Sequence, residues 1–107
     1  MTKIDAGQRA IEEILSVQRA FRQRRRMIMV AAAGLLAAKK QNPCTRDFGR
    51  WLKRSSYADL SRHERASLIA IARNEKQIVK VLRANPGLSS PVLIWRRARR
   101  QMAGEKR

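Results

Sequence analysis

One cysteine and one histidine, Cys44 and His63, occur in 107 residues. No disulfide can close within the chain, no Cys/His zinc cluster can be assembled, and nothing beyond one residue of each kind suggests a thiol nucleophile with an imidazole base. A single cysteine fits a reducing, cytoplasmic setting. Carboxylates are also few, eight Asp+Glu in all. Asp5, Asp47, Glu64 and Glu75 stand where helix starts favour negative charge, which leaves little for acid–base or metal chemistry. There is no glycine-rich phosphate loop, no H-E-x-x-H and no G-x-S-x-G. No enzyme, cofactor or bound metal is expected. Alternation of the strand type is missing throughout, as is any long internal repeat. The longest apolar run, Met27 to Ala38, is too short to cross a bilayer, which takes ~20 residues, so an integral membrane protein is not expected. Behind Arg24-Arg25-Arg26 this run superficially resembles a twin-arginine leader, but a capped helix precedes it and a buried helix is the better reading.

What the chain has in abundance is positive charge: 25 Lys+Arg against those eight acids, a formal net charge of +17. Self-repulsion of that size opposes a compact state, and a polyanionic partner is the economical explanation: DNA, RNA, an anionic membrane or an acidic protein. With 44% hydrophobic residues, a modest core is still available, so residues 1–107 are expected to form one small domain rather than a disordered basic tail.

The pattern is helical from end to end. Thr2, with Asp5 three residues on, opens a helix over residues 1–42. Ile14, Phe21, Ile28 and Leu35 recur at heptad spacing, with Ala10, Val17, Ala31 and Ala38 in the companion positions, which predicts a packing seam along one long helix. Arg24 and Arg25 interrupt that seam, marking either a break near Arg24 to Arg26 or a place open to solvent or ligand. Asn42-Pro43 ends the helix. Residues 44–103 then read as about four shorter helices. Thr45 caps one in which Phe48, Trp51 and Leu52 share a face, a spacing that makes these aromatics core rather than base-stacking. Ser61 with Glu64 is a capping box, followed by Leu68, Ile69, Ile71 and Ala72. Asn74 with Gln77 repeats the cap logic ahead of Ile78, Val79, Val81 and Leu82. Asn85-Pro86-Gly87 closes that helix, and Ser89-Ser90-Pro91 starts the last one. The class is all-α, with the outline of a helix-turn-helix unit over residues 61–102. The link from Asn85 to Ser90 is long for the tight turn of that motif.

The last helix carries Ile94, Trp95, Ala98 and Met102 on one arc and Arg96, Arg97, Arg99 and Arg100 over the opposite side. A second cationic stripe runs through Arg19, Arg22 and Arg26, flanked by Arg24 and Arg25. These nine arginines are the candidate nucleic-acid-binding residues. Val92 and Leu93 occupy the first turn of the last helix, where a recognition helix would read bases, so phosphate contact is expected rather than base readout.

Leu35-Leu36-Ala37-Ala38-Lys39-Lys40 followed by Phe48-Gly49-Arg50-Trp51-Leu52 resembles a family of small helical proteins carried by phages and plasmids, in which a helix ending in basic residues precedes an F-G-x-W-L segment. The resemblance covers the middle third of the chain. It implies an accessory or regulatory protein of a mobile element and transfers no functional residue. The leading expectation is a nucleic-acid-binding regulatory or architectural protein, for DNA rather than RNA because exposed stacking aromatics are scarce. The alternative is an adaptor or inhibitor that docks on an acidic host protein through the long helix, and the same seam could join two copies into a homodimer. A helix lying on an anionic membrane surface is the third reading.

Overall fold

The computed structural model describes residues 2–105; Met1, Lys106 and Arg107 lie outside the described residues. Its helices are α1 Lys3–Gln41, α2 Thr45–Arg54, α3 Arg62–Arg73, α4 Glu75–Ala84 and α5 Pro91–Glu105, with a 3₁₀ turn at Ser56–Asp59. No strand occurs among the described residues. The all-α class and the long first helix follow the sequence pattern, and α1 runs through Arg24 to Arg26 without a break.

Local chemistry sets the helix ends. Thr2 and Asp5 form a reciprocal capping box, as do Ser61 and Glu64, so each pair satisfies two of the backbone N–H groups that a helix start leaves unpaired. The start of α2 departs from expectation. Its N-cap is Cys44, which makes no side-chain cap, and Thr45 is already helical; Asp47 at the third helical position supplies the favourable negative charge. Asn74 departs too. It makes no side-chain cap for α4, and its amide instead donates back to the Ala70 carbonyl at the end of α3. Asn42 and Asn85 do the same at the ends of α1 and α4, donating to Ala38 and Val81. Each asparagine thus satisfies a last-turn carbonyl of the helix it closes.

The core gathers Ile28, Ala32 and Leu35 of α1 with Leu68 and Ile71 of α3, Ile78 and Val81 of α4, and Ile94 and Ala98 of α5. Helix α3 is central, packed on both α1 and α5, while α4 leans on α5. Only Asn74 separates α3 from α4, whereas six residues, 85–90, join α4 to α5. The tight joint of the expected helix-turn-helix therefore falls between its first two helices, and the looser one precedes the basic helix.

The heptad seam holds over half its length. Leu35 is fully buried and Ile28 is 8% exposed, but Ile14 is 52% and Phe21 38% exposed. Every residue from Thr2 to Arg24 is exposed. The physical reason is simple: α3, α4 and α5 reach only the C-terminal half of α1, and the seam continues past them as an arm with no helix against it, only the Pro86–Gly87 link beside Phe21 and Ile14. No helix among the described residues is long and apolar enough to cross a membrane.

Helix α2 lays its aromatic wedge on the core. Phe48 and Trp51 stack with ring centroids 6.1 Å apart, and Trp51 meets Tyr57 at 5.7 Å. The Tyr57 hydroxyl donates to the Ala31 carbonyl of α1 at 2.7 Å. It lies so close to α1 that a Cβ on Gly34 would stand 2.9 Å from its oxygen. The segment that carries the F-G-x-W-L resemblance is therefore a packing device.

Candidate nucleic-acid interface

Helix α5 presents its charge because its other side is committed to the core. Pro91 occupies the first helical position, and the Ser90 carbonyl accepts from the Ile94 N–H at 2.8 Å. Ile94 and Ala98 are fully buried, with Trp95 and Met102 half-buried beside them. At 100° per residue, Arg96, Arg97, Arg99 and Arg100 then fan across an arc of roughly 160° on the far side, and all four are exposed. Arg96 and Arg99 turn toward α3. With His63, Ser67 and Trp95 they line a cleft of about 290 Å³. Arg97 and Arg100 sit further round, on the outer surface with Leu93.

The arginines of α1 divide into two kinds. Arg22 and Arg26 are exposed, and Arg19 bonds only its own helix, Nε donating to the Leu15 carbonyl at 3.3 Å. Arg24 and Arg25 serve the fold. Arg24 Nε donates to the Ser89 carbonyl at 2.9 Å. Arg25 donates from Nε to Leu88 at 2.7 Å, from Nη1 to Leu82 at 2.8 Å, and from Nη2 to Asn85. Its planar fork thus collects the Leu82 and Leu88 carbonyls at the end of α4 and in the following link, and gives a second donor to the Asn85 carbonyl, which also accepts from the Leu88 N–H at 3.1 Å. This explains how a cation can interrupt the seam without breaking the helix.

Arg22 and Arg25 join Arg83 of α4 around a second cleft of about 320 Å³, walled by Phe21 and Pro86. The two sets of arginines line separate clefts; none is shared between α1 and α5. Sequence reasoning missed several side chains beside these clefts and on α2. Arg83 and His63 enter only through the fold, since nothing near them in the chain signals their neighbours. Arg46, Arg50, Lys53 and Arg54 were within reach: they recur at i, i+4, i+7 and i+8 on the side of α2 opposite Phe48, Trp51 and Leu52, and all are exposed.

Comparison with known families, curated proteins and solved structures finds no match. The site's own chemistry carries the functional reading. Every arginine hydrogen bond among the described residues ends on a main-chain carbonyl, and none of Arg96, Arg97, Arg99 and Arg100 donates to the chain. Guanidinium groups in that state suit oxyanions such as phosphate or carboxylate, which accept two parallel N–H bonds from the planar fork. No group of three His, Cys, Asp or Glu side chains that could hold a metal occurs among the described residues.

Proposed function

We propose that this is a nucleic-acid-binding accessory or regulatory protein that grips the phosphate backbone of DNA through arginine-bearing helix faces. The observation that carries the reading is the α5 surface, where four exposed arginines with no hydrogen-bond partner among the described residues fan over one side of a helix fixed in the core. A fan of that width follows a curved backbone better than a flat surface, and a chain of net charge +17 supplies long-range attraction. Trp95, which lines the cleft with Arg96 and Arg99, gives an apolar wall beside the phosphate contacts. Residues Val92 and Leu93 in the first turn leave no hydrogen-bonding side chain there to read a base edge, so affinity is expected to depend little on sequence.

Gel shifts on duplex DNA, single-stranded DNA and RNA at two salt concentrations test this directly. Duplex binding should fall steeply with salt. Each of Arg96→Ala, Arg97→Ala and Arg100→Ala should weaken binding to unrelated duplexes about equally and reduce the salt slope by ~1. A single arginine whose loss costs ~1–3 kcal/mol on one site and little elsewhere would reveal base readout instead. An adaptor for a host protein would use the uncovered face of α1, and would hold its partner at moderate salt and after nuclease treatment.

A further inference from the structure

The exposed half of α1 is an amphipathic helix whose apolar face has no cover. On a helical projection, Val17, Ala10, Phe21, Ile14, Gly7, Ile11, Ile4 and Leu15 fall within an arc of roughly 160°. At its Val17–Ile14 edge this stripe runs on into the one formed by Ile28, Ala32 and Leu35, which is buried in the core. Along the arm it is open, with Ile4 76% and Val17 55% exposed. At 1.5 Å per residue, the exposed stretch from Lys3 to Arg24 extends about 33 Å. Helices in proteins draw most of their stability from packing an apolar face, and this stretch buries none of its own.

The whole molecule shows the same excess of surface. A monomer of this mass is expected to expose about 6,100 Å², whereas this chain exposes 8368 Å². Its radius of gyration is 17.9 Å, against about 13 Å for a compact chain of this length. That excess, about 2,300 Å² on one chain, is ample for the roughly 800 Å² that each partner gives to a standard protein–protein contact.

Charge selects the occupant. Residues 2–18 carry Lys3 and Arg9 against Asp5, Glu12 and Glu13, a net charge of −1, which leaves +18 on the remainder of the chain. That outer part of the arm, short of Arg19, Arg22 and Arg24, can thus meet another copy without strong repulsion. We propose that two copies associate through their arms, antiparallel, about a two-fold axis near Ala10 and Ile11. In that register Gly7 and Ala10 of one copy oppose Ile14 and Ile11 of the other, so small residues receive large ones. A parallel pair would stack Gly7 on Gly7 and bring both +18 bodies to the same end. The antiparallel pair sets them at opposite ends. It also places Ile4 of one copy beside Val17 of the other, at the mouth of a groove of about 570 Å³ walled by Ile14, Phe21, Pro86 and Gly87.

This association does not rest on the nucleic-acid reading and is tested without nucleic acid. Sedimentation equilibrium on nuclease-treated full-length protein, over roughly 1–100 µM, should show a reversible monomer–dimer equilibrium. Ile14→Glu should raise the dissociation constant at least tenfold while leaving the thermal midpoint of the monomer unchanged, since Ile14 touches nothing in the core. Orientation is read from spin labels on Arg22→Cys in a Cys44→Ser background. The antiparallel register separates them by about 35 Å along the axis, from the rise per residue, whereas a parallel pair holds them within about 20 Å. A strictly monomeric protein at 100 µM, a dimer indifferent to Ile14→Glu, or a short label distance would each overturn the proposal.

Discussion

Two side chains show how single residues decide local stability here. Arg25 sits at a seam position and yet holds α1 to the end of α4, through carbonyls of Leu82, Asn85 and Leu88. Hydrogen bonds from a charged donor contribute more than neutral ones, and removing the guanidinium takes that donor from the half-buried Leu82 and Leu88 carbonyls, while Asn85 keeps its bond from the Leu88 N–H. Arg25→Met is therefore expected to cost about 2 kcal/mol in chemical denaturation. Arg25→Lys should recover little of it, because an ammonium cannot reproduce the planar fork. Arg22→Ala and Arg26→Ala, which remove exposed cations, should leave stability nearly unchanged while lowering nucleic-acid affinity. The second residue is Gly34. Replacing glycine with alanine inside a helix normally gains about 1 kcal/mol, but here the new methyl meets the Tyr57 oxygen. Gly34→Ala should destabilise the wild-type chain and stabilise a Tyr57→Phe chain. Urea denaturation of the four proteins checks that reversal of sign, and a gain in both backgrounds would show that Tyr57 yields freely.

Among the elements, α1 records how far the sequence was legible. Its length and start, its end at Asn42-Pro43, and the burial of Ile28 and Leu35 all follow from capping, periodicity and proline geometry. The exposure of Ile14 and Phe21 does not. Heptad spacing specifies a face that wants cover, and nothing in the spacing says how far a partner element extends. Leu35→Ala should accordingly cost about 3 kcal/mol, and Phe21→Ala, at the open end, about 1 kcal/mol or less. Thermal melts of dilute protein separate the two. The joint at Asn74 was misjudged for a related reason. An Asn between two short apolar patterns can serve the helix before it or the one after it, and only the packing of α3 on α4 decides. Of the candidate site, the α5 arginines were legible because Ile94 and Ala98 fix that helix's rotation. Arg25 was not, since its carbonyl partners lie about sixty residues away in sequence and a charge run alone gives no hint that one member is internal. The stripe on α2 was legible in principle but was passed over in favour of the aromatics on its other side.

At the scale of the whole molecule, a flat body carries one projecting rod, with principal extents of 63 × 41 × 18 Å. Geometrically α1 is a single helix; energetically it is two. Amides from Ile28 to Ala38 lie under the core and should exchange with solvent hydrogen only through global unfolding. Those from Gly7 to Ala20 belong to exposed residues outside the core and should exchange through local fraying, faster by orders of magnitude. The same division makes the protein self-trimming in the presence of trypsin. Cleavage after Arg9, Arg19 and Arg22 requires only that the arm open locally, whereas Arg25 is held against the body by its carbonyl partners. A brief digest of dilute protein should therefore leave a resistant fragment beginning near Gln23, well below the temperature at which the body melts. The arm's lifetime then becomes a gauge of its surroundings. If copies pair through it, concentrated samples should resist the protease that strips dilute ones.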